Sequence, residues 1–187
     1  MQADRAFRSD ISLALIHLTG SRGTLRPIDA LTSILSERVI RASGYSGFIK
    51  GGGQAACFTE MPLSAIPLLV QKSQHSKHPY GLYGIAMHKS NAFSQGARPV
   101  IYLPDSEASW IPHDERWRHV RFEYGEVDFC HEREWRSRGD FLLSGSFGFY
   151  VIVESAGCET RIRSAVPAEA LKPALGFIHM TTLRDFL

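Results

Sequence analysis

The chain has 187 residues, 44% hydrophobic and 21% charged, with a formal net charge of +2. These are ordinary values for one globular domain with a single core, and the charge is too small to argue for nucleic acid by itself. Three cysteines, Cys57, Cys130 and Cys158, are odd in number, widely spaced and without CxxC, which excludes a disulfide framework or a zinc finger and fits a reducing compartment. The apolar run near the N-terminus is short and broken by Ser12 and His17. It is neither a membrane span nor a signal peptide, so the expected location is cytoplasmic.

In chain order, residues 13–19 (LALIHLT) read as a strand and SRGTLRPID as a turn. Asp29 is a candidate N-cap for a helix ALTSILSERVIRAS, with Leu31, Ile34, Leu35 and Val39 at helical spacing and Gly44 as terminator. GYSGFIKGGGQ is a glycine-rich loop, ACFTEMPL a short buried strand, and residues 63–74 a second helix. LYGIAMH alternates as a strand, NAFSQGAR is a turn or short helix, and PVIYL is another strand. Residues 104–119 form a long polar stretch, a length that favours a functional loop. VRFEYG, VDFCHEREWR and GFYVIVES read as strands, VPAEALKPAL as a short helix, and GFIHM as a last strand. Early helices and many late strands predict an α+β domain with a mainly antiparallel sheet and two or three helices.

The densest chemistry lies in His131-Glu132-Arg133-Glu134-Trp135-Arg136. Strand alternation puts Glu132, Glu134 and Arg136 on one side and His131, Arg133 and Trp135 on the other. Two carboxylates on one face need cations or a ligand. They suit stabilisation of an oxocarbenium-like transition state or removal of a proton from a nucleophile, and equally a solvated edge strand of Glu–Arg pairs. His17, with Thr19 on its face, is either a satisfied strand histidine or a ligand contact. Glu60, at a strand-to-helix junction, is either a cap or a pocket acid facing the cleft of His17. Tyr80 and Tyr83 offer a ring to a flat ligand or to the core. Arg98 offers a phosphate contact or a solvated cation. Lys50-Gly51-Gly52-Gly53-Gln54 allows close backbone approach to a phosphate but lacks the P-loop ending. His75, His78 and His88 lack the spacing of a metal site, so no metal is expected. No GxSxG or GxGxxG occurs.

Taken together, IHLTG at 16–20, the helix ending VIRASG, CFTEMPL at 57–63, YGLYGIAMHKSNAFSQGARPVIYL at 80–103 and HEREWR at 131–136 resemble the abortive-infection phage-resistance proteins of the AbiGi type. The order of first-strand histidine, aromatic middle segment and late acidic strand also resembles the ADP-ribosyltransferase layout. That resemblance implies a split antiparallel sheet clamping NAD as substrate. It assigns His17 to the ribose, Tyr80 or Tyr83 to nicotinamide stacking, Glu134 to the oxocarbenium and Glu132 to the acceptor. Phe58-Thr59-Glu60 stands nearest the usual Ser-Thr-Ser segment. The 104–119 loop, with Trp110, Arg116, Trp117 and Arg118, would close the site or meet the acceptor, a protein or nucleic acid. An antitoxin or phage component is the other expected partner. Two further readings stay open: a non-catalytic sensor or antitoxin-like module, and a nucleic-acid-acting protein with strongly salt-dependent binding.

Overall fold

The computed structural model describes residues 12–43, 49–143 and 147–184. The Gly44 terminator proposed for the first helix lies outside these residues. The chain runs β1 (Ala14–Gly20), α1 (Pro27–Glu37), β2 (Val39–Ile40), β3 (Ala55–Thr59), α2 (Ile66–Ser73), β4 (Tyr80–His88), α3 (Lys89–Ser94), β5 (Arg98–Pro99) and β6 (Ile101–Leu103). It continues through β7 (His119–Arg121), β8 (Glu134–Arg138), β9 (Phe141–Leu142), β10 (Phe149–Val153), α4 (Ala156–Ala165), α5 (Ala168–Leu171), β11 (Ala174–His179) and α6 (Met180–Arg184).

The central sheet has the order β11-β10-β4-β1-β3-β8-β5. Every ladder from β10 to β5 is antiparallel, and β11 joins β10 in parallel. The fold is therefore mixed α/β with a mainly antiparallel sheet, compatible with the α+β expectation. Alternation sorts the core into two layers. Leu15, Phe58, Ile85, Met87, Phe149, Val151 and Val153 face α1, α4 and α5, represented by Leu31, Leu35, Ile162 and Ala170. Ile16, Leu18, Ala86 and Ile152 face Ile66 and Leu69 of α2 and Met180 of α6. Among the described residues, no helix is long and apolar enough to cross a membrane.

Several local expectations change. Asp29 does not cap α1. Pro27, with its fixed φ, opens the helix after Arg26, and Asp29 sits in the first turn, accepting from Arg26 Nε at 2.7 Å. The helix also stops at Glu37, because Arg38 is left-handed (φ 53) and the β-branched pair Val39–Ile40 is taken by β9. The stretch GCETRIRSA, which shows no clear apolar stripe, is helical as α4; it buries Ile162 against the sheet.

The sheet carries one discontinuity. β1 and β3 share a single register pair, Ile16 with Thr59, extended by the Ser12 N–H to Glu60 O bond at 3.1 Å. β1 and β4 run on in register to Leu18 opposite Gly84, then shift before Gly20 opposite Tyr80. Toward Gly20, then, β1 stays with β4 and parts from β3. Gly84 stands at this parting: a Cβ there meets the His17 carbonyl oxygen at 2.2 Å. That clash is with backbone, which cannot swing aside as a side-chain tip can. Gly84→Ala is expected to cost ~3 kcal/mol, read as a lower urea midpoint at unchanged slope.

Candidate functional site

The acidic segment is not one continuous strand. Cys130–Glu132 form a short 3-10 turn, Arg133 is left-handed (φ 46), and β8 begins only at Glu134. The alternation argument therefore holds for Glu134 and Arg136 and fails for Glu132, which reaches its place by a turn. Two bonds clip that turn to β3: the Thr59 hydroxyl donates to Glu132 O at 2.5 Å, and the Glu60 N–H donates to Arg133 O at 3.1 Å. The long loop 104–119 is also structured, with 3-10 segments at Asp105–Trp110 and His113–Arg118 that lead into β7, paired in parallel with β6.

Arg136 organises the site. Its Nε and second terminal nitrogen donate to the two Glu134 oxygens at 2.8 and 3.1 Å, a bidentate clasp. Its remaining nitrogen donates to Trp117 O at 2.7 Å and lies 3.4 Å from His119 O. The Arg136 side chain is 3% exposed and that of Glu134 15%, so this pair lives in a poorly solvated setting. The Glu134 N–H donates to the Tyr102 hydroxyl at 3.0 Å. Nothing in the pattern of PVIYL singles out Tyr102, and its arrival over β8 depends on the β6–β7 ribbon.

Burial and the neighbouring Glu134 charge push the Glu132 carboxyl up to about 7, against the weaker opposing pull of Arg136. Burial, with Glu132, Cys57 and Glu134 nearby, raises the Tyr80 hydroxyl to about 12. Tyr102 is likewise raised to about 12, chiefly by burial. Burial and Glu134 carry the Cys57 thiol to about 12, which removes it as a thiolate nucleophile near neutral pH. One side of the sheet thus gathers a carboxyl poised near neutrality, a clasped carboxylate and two protonated phenols.

His17 lies on the other side. Continuing the Ile16–Thr59 and Phe58–Trp135 registers places His17, Phe58 and Trp135 on one face and Thr59, Cys57, Glu134 and Arg136 on the opposite one. The His17 ring packs edge-on against Phe58 at 6.0 Å. Its Nδ1 is 2.8 Å from Cys57 O, an acceptor only, so Nδ1 carries the proton. Burial holds this histidine below its ordinary titration range. It bridges β1 and β3 where their ladder has lapsed.

The other candidates are equally engaged. Thr19 Oγ1 lies 2.8 Å from Pro27 O and 3.1 Å from Tyr83 O, tying β1 to α1 and β4. Tyr83 shares the face of the α1 and α4 layer, where its hydroxyl donates to Glu154 at 2.8 Å and sits 3.3 Å from Cys158 Sγ. Glu60 neither caps a helix nor faces the acids. It accepts from the Trp135 indole at 2.5 Å and pairs with Lys89 at 2.7 Å. Arg98 donates to Phe93 O and Ala97 O, each at 2.8 Å, and stacks over the Phe93 ring at 3.9 Å. The structure therefore joins Glu132, Glu134 and Tyr80 and separates them from His17, Thr19, Tyr83 and Glu60. Among the described residues, no group of three or more His, Cys, Asp and Glu side chains is arranged to hold a metal ion. His88 instead caps α3, its Nδ1 2.6 Å from Ser90 Oγ.

No protein-family model matches this chain, and no curated protein or solved structure matches it either.

Removing one member of a buried ion pair strands the other charge. Arg136→Met is expected to cost ~3–5 kcal/mol in denaturant unfolding, and adding Glu134→Gln to recover a large part of that loss. Glu132 carries the opposite sign from an ordinary salt-bridged acid. Its folded-state value lies above its unfolded one, so the native state holds the extra proton between the ordinary carboxylate range and about 7, and stability falls as pH rises through that window. Glu132→Gln is expected to raise the thermal midpoint at pH 8 and leave it unchanged at pH 4.

Proposed function

We propose that the chain is a phage-defence or toxin-type protein of the AbiGi kind. On this reading its ADP-ribosyltransferase-like site takes NAD as substrate and modifies a macromolecular acceptor, protein or nucleic acid. One observation carries the reading: Glu132, with its carboxyl near 7, stands beside the clasped carboxylate of Glu134 and the Tyr80 and Tyr102 hydroxyls. The strand order adds support, because β1, β3 and β8 are consecutive in the sheet and β1 parts from β3 after Ile16. A first strand, a middle strand and a late acidic strand side by side, with a parting between the first two, suit a split-sheet clamp.

The roles follow from charge and geometry. As the nicotinamide–ribose bond breaks, nicotinamide leaves with the bonding pair and positive charge grows at the anomeric carbon. Glu134 is held in one rotamer by Arg136 and faces that charge without reorganising. Glu132 is about half ionised near neutral pH and accepts the proton of the attacking acceptor group. Tyr80 supplies a ring for the nicotinamide, and its hydroxyl stays protonated as a donor. His17 acts at one remove, holding β3 against β1 at the parting rather than touching the ring.

A second reading is favoured by a specific observation: Glu134 is already paired with a bidentate arginine, as in a non-catalytic sensor or antitoxin-like module that keeps the fold for binding. Nicotinamide release separates the two. Purified protein is expected to bind NAD by calorimetry and release nicotinamide in the presence of cell extract, with Glu134→Gln lowering the rate ~100-fold or more. Gln retains a carbonyl for Arg136, and a circular dichroism spectrum like wild type shows that the fold survives. Absence of NAD binding, with Glu134→Gln matching wild type in a phage challenge, would leave the binding-module reading standing and end the enzymatic one.

A further inference from the structure

We propose a phosphate-ester binding site in the cavity between the glycine loop at 50–53 and the 105–119 segment. The cavity has a volume of about 380 Å³ and is lined by Lys50, Gly51, Asp105, Ser109, Arg116 and His119. That volume lies in the range of small-ligand sites and takes a phosphate together with the group it esterifies, on the scale of a nucleoside monophosphate.

The central observation is Arg116. Among the described residues its solvent-exposed guanidinium, at the mouth of the cavity, makes one long hydrogen bond, Nε to Ile111 O at 3.5 Å, and pairs with no carboxylate. A guanidinium has five N–H donors in a planar fork suited to phosphate oxygens. Lys50 stands across the cavity, held by Asp105. The cavity wall between them is backbone by necessity. Gly51 and Gly52 have φ of 73° and 67°, and a Cβ on Gly51 meets Arg116 Cβ at 2.8 Å and His113 O at 2.9 Å. Any other residue at 51 pushes the loop away from Arg116. His119 Nε2 lies 2.9 Å from Leu103 O and 3.9 Å from Asp105, and among the described residues Asp105 is the only acid lining the cavity. Arg116 and Lys50 outweigh it, so the cavity favours a dianionic phosphate, and Asp105 tempers the affinity.

This site is separate from the acids. On the β6–β7 ribbon, Tyr102 pairs with Val120 and reaches the Glu134 N–H, while His119 pairs with Ile101 on the opposite face. The inference therefore stands whether or not the protein turns over NAD.

Calorimetry with AMP, adenosine and a short single-stranded DNA tests it. AMP is expected to bind and adenosine not. Arg116→Gln is expected to weaken AMP at least tenfold and Lys50→Met severalfold, with Asp105→Asn tightening it. Glu134→Gln leaves AMP affinity unchanged. Among the described residues Arg116→Gln sacrifices one 3.5 Å hydrogen bond, and its circular dichroism spectrum is expected to match wild type. Tighter DNA binding with the same Arg116 dependence makes the phosphate part of a nucleic-acid backbone; tighter AMP binding makes it a free nucleotide's. Failure of both AMP and DNA to bind, or equal affinity in a folded Arg116→Gln variant, overturns the proposal.

Discussion

The architecture around the acids depends on one buried guanidinium. Arg136 sits on the second strand from the sheet edge, clasps Glu134 on its own strand, and reaches the carbonyls of Trp117 and His119 above it. Without a cation there, Glu134 is an uncompensated charge among Cys57, Tyr80 and Tyr102, and two backbone acceptors of the overlying segment lose their donor. With it, the 104–119 segment is fastened to the sheet, the β6–β7 ribbon lies over β8, and Tyr102 meets the Glu134 amide. The electrostatics of Glu132 follow: it lies within the field of an acid whose own charge is only partly cancelled.

The parting of β1 from β3 is the second constraint. A sheet that opens along one ladder leaves backbone groups to be satisfied by other means. Here the His17 imidazole supplies a donor to Cys57 O, and burial keeps that ring neutral. Of the two readings open to this strand histidine, satisfied structural residue or ligand contact, its bond to Cys57 O gives it the structural task, and the acid-bearing face lies across the sheet from it. The chemistry this leaves is narrower than a cleft ringed by candidates: two carboxyls with different electrostatic settings, two phenols and a positioning arginine.

Much of the fold was legible because local pattern and tertiary role agreed. β1, β4 and β10 alternate or run apolar in ways that survive burial on both sheet faces, and the core of α1 shows the helical spacing of Leu31 and Leu35. Legibility failed where a single backbone conformation decided the outcome. Left-handed Arg38 ends α1 early, and left-handed Arg133 breaks the acidic segment into a turn and a strand; neither residue type announces a positive φ. α4 was hidden because its exposed face is polar and only Ile162 among its residues is fully buried.

By itself, the sequence determined which groups were available: the acids of 132–136, an arginine two positions after Glu134, a first-strand histidine, and a lysine beside glycines. Spacing two apart settled that Glu134 and Arg136 share a face, since strand alternation is a property of the backbone. Which distant groups meet was decided only by tertiary structure. Register put His17 across the sheet from Glu134, a turn rather than alternation brought Glu132 beside it, and packing carried Tyr102 over β8 and Arg116 against Gly51. Strand order and register are long-range choices, made by the burial of whole faces, and no short window of residues encodes them.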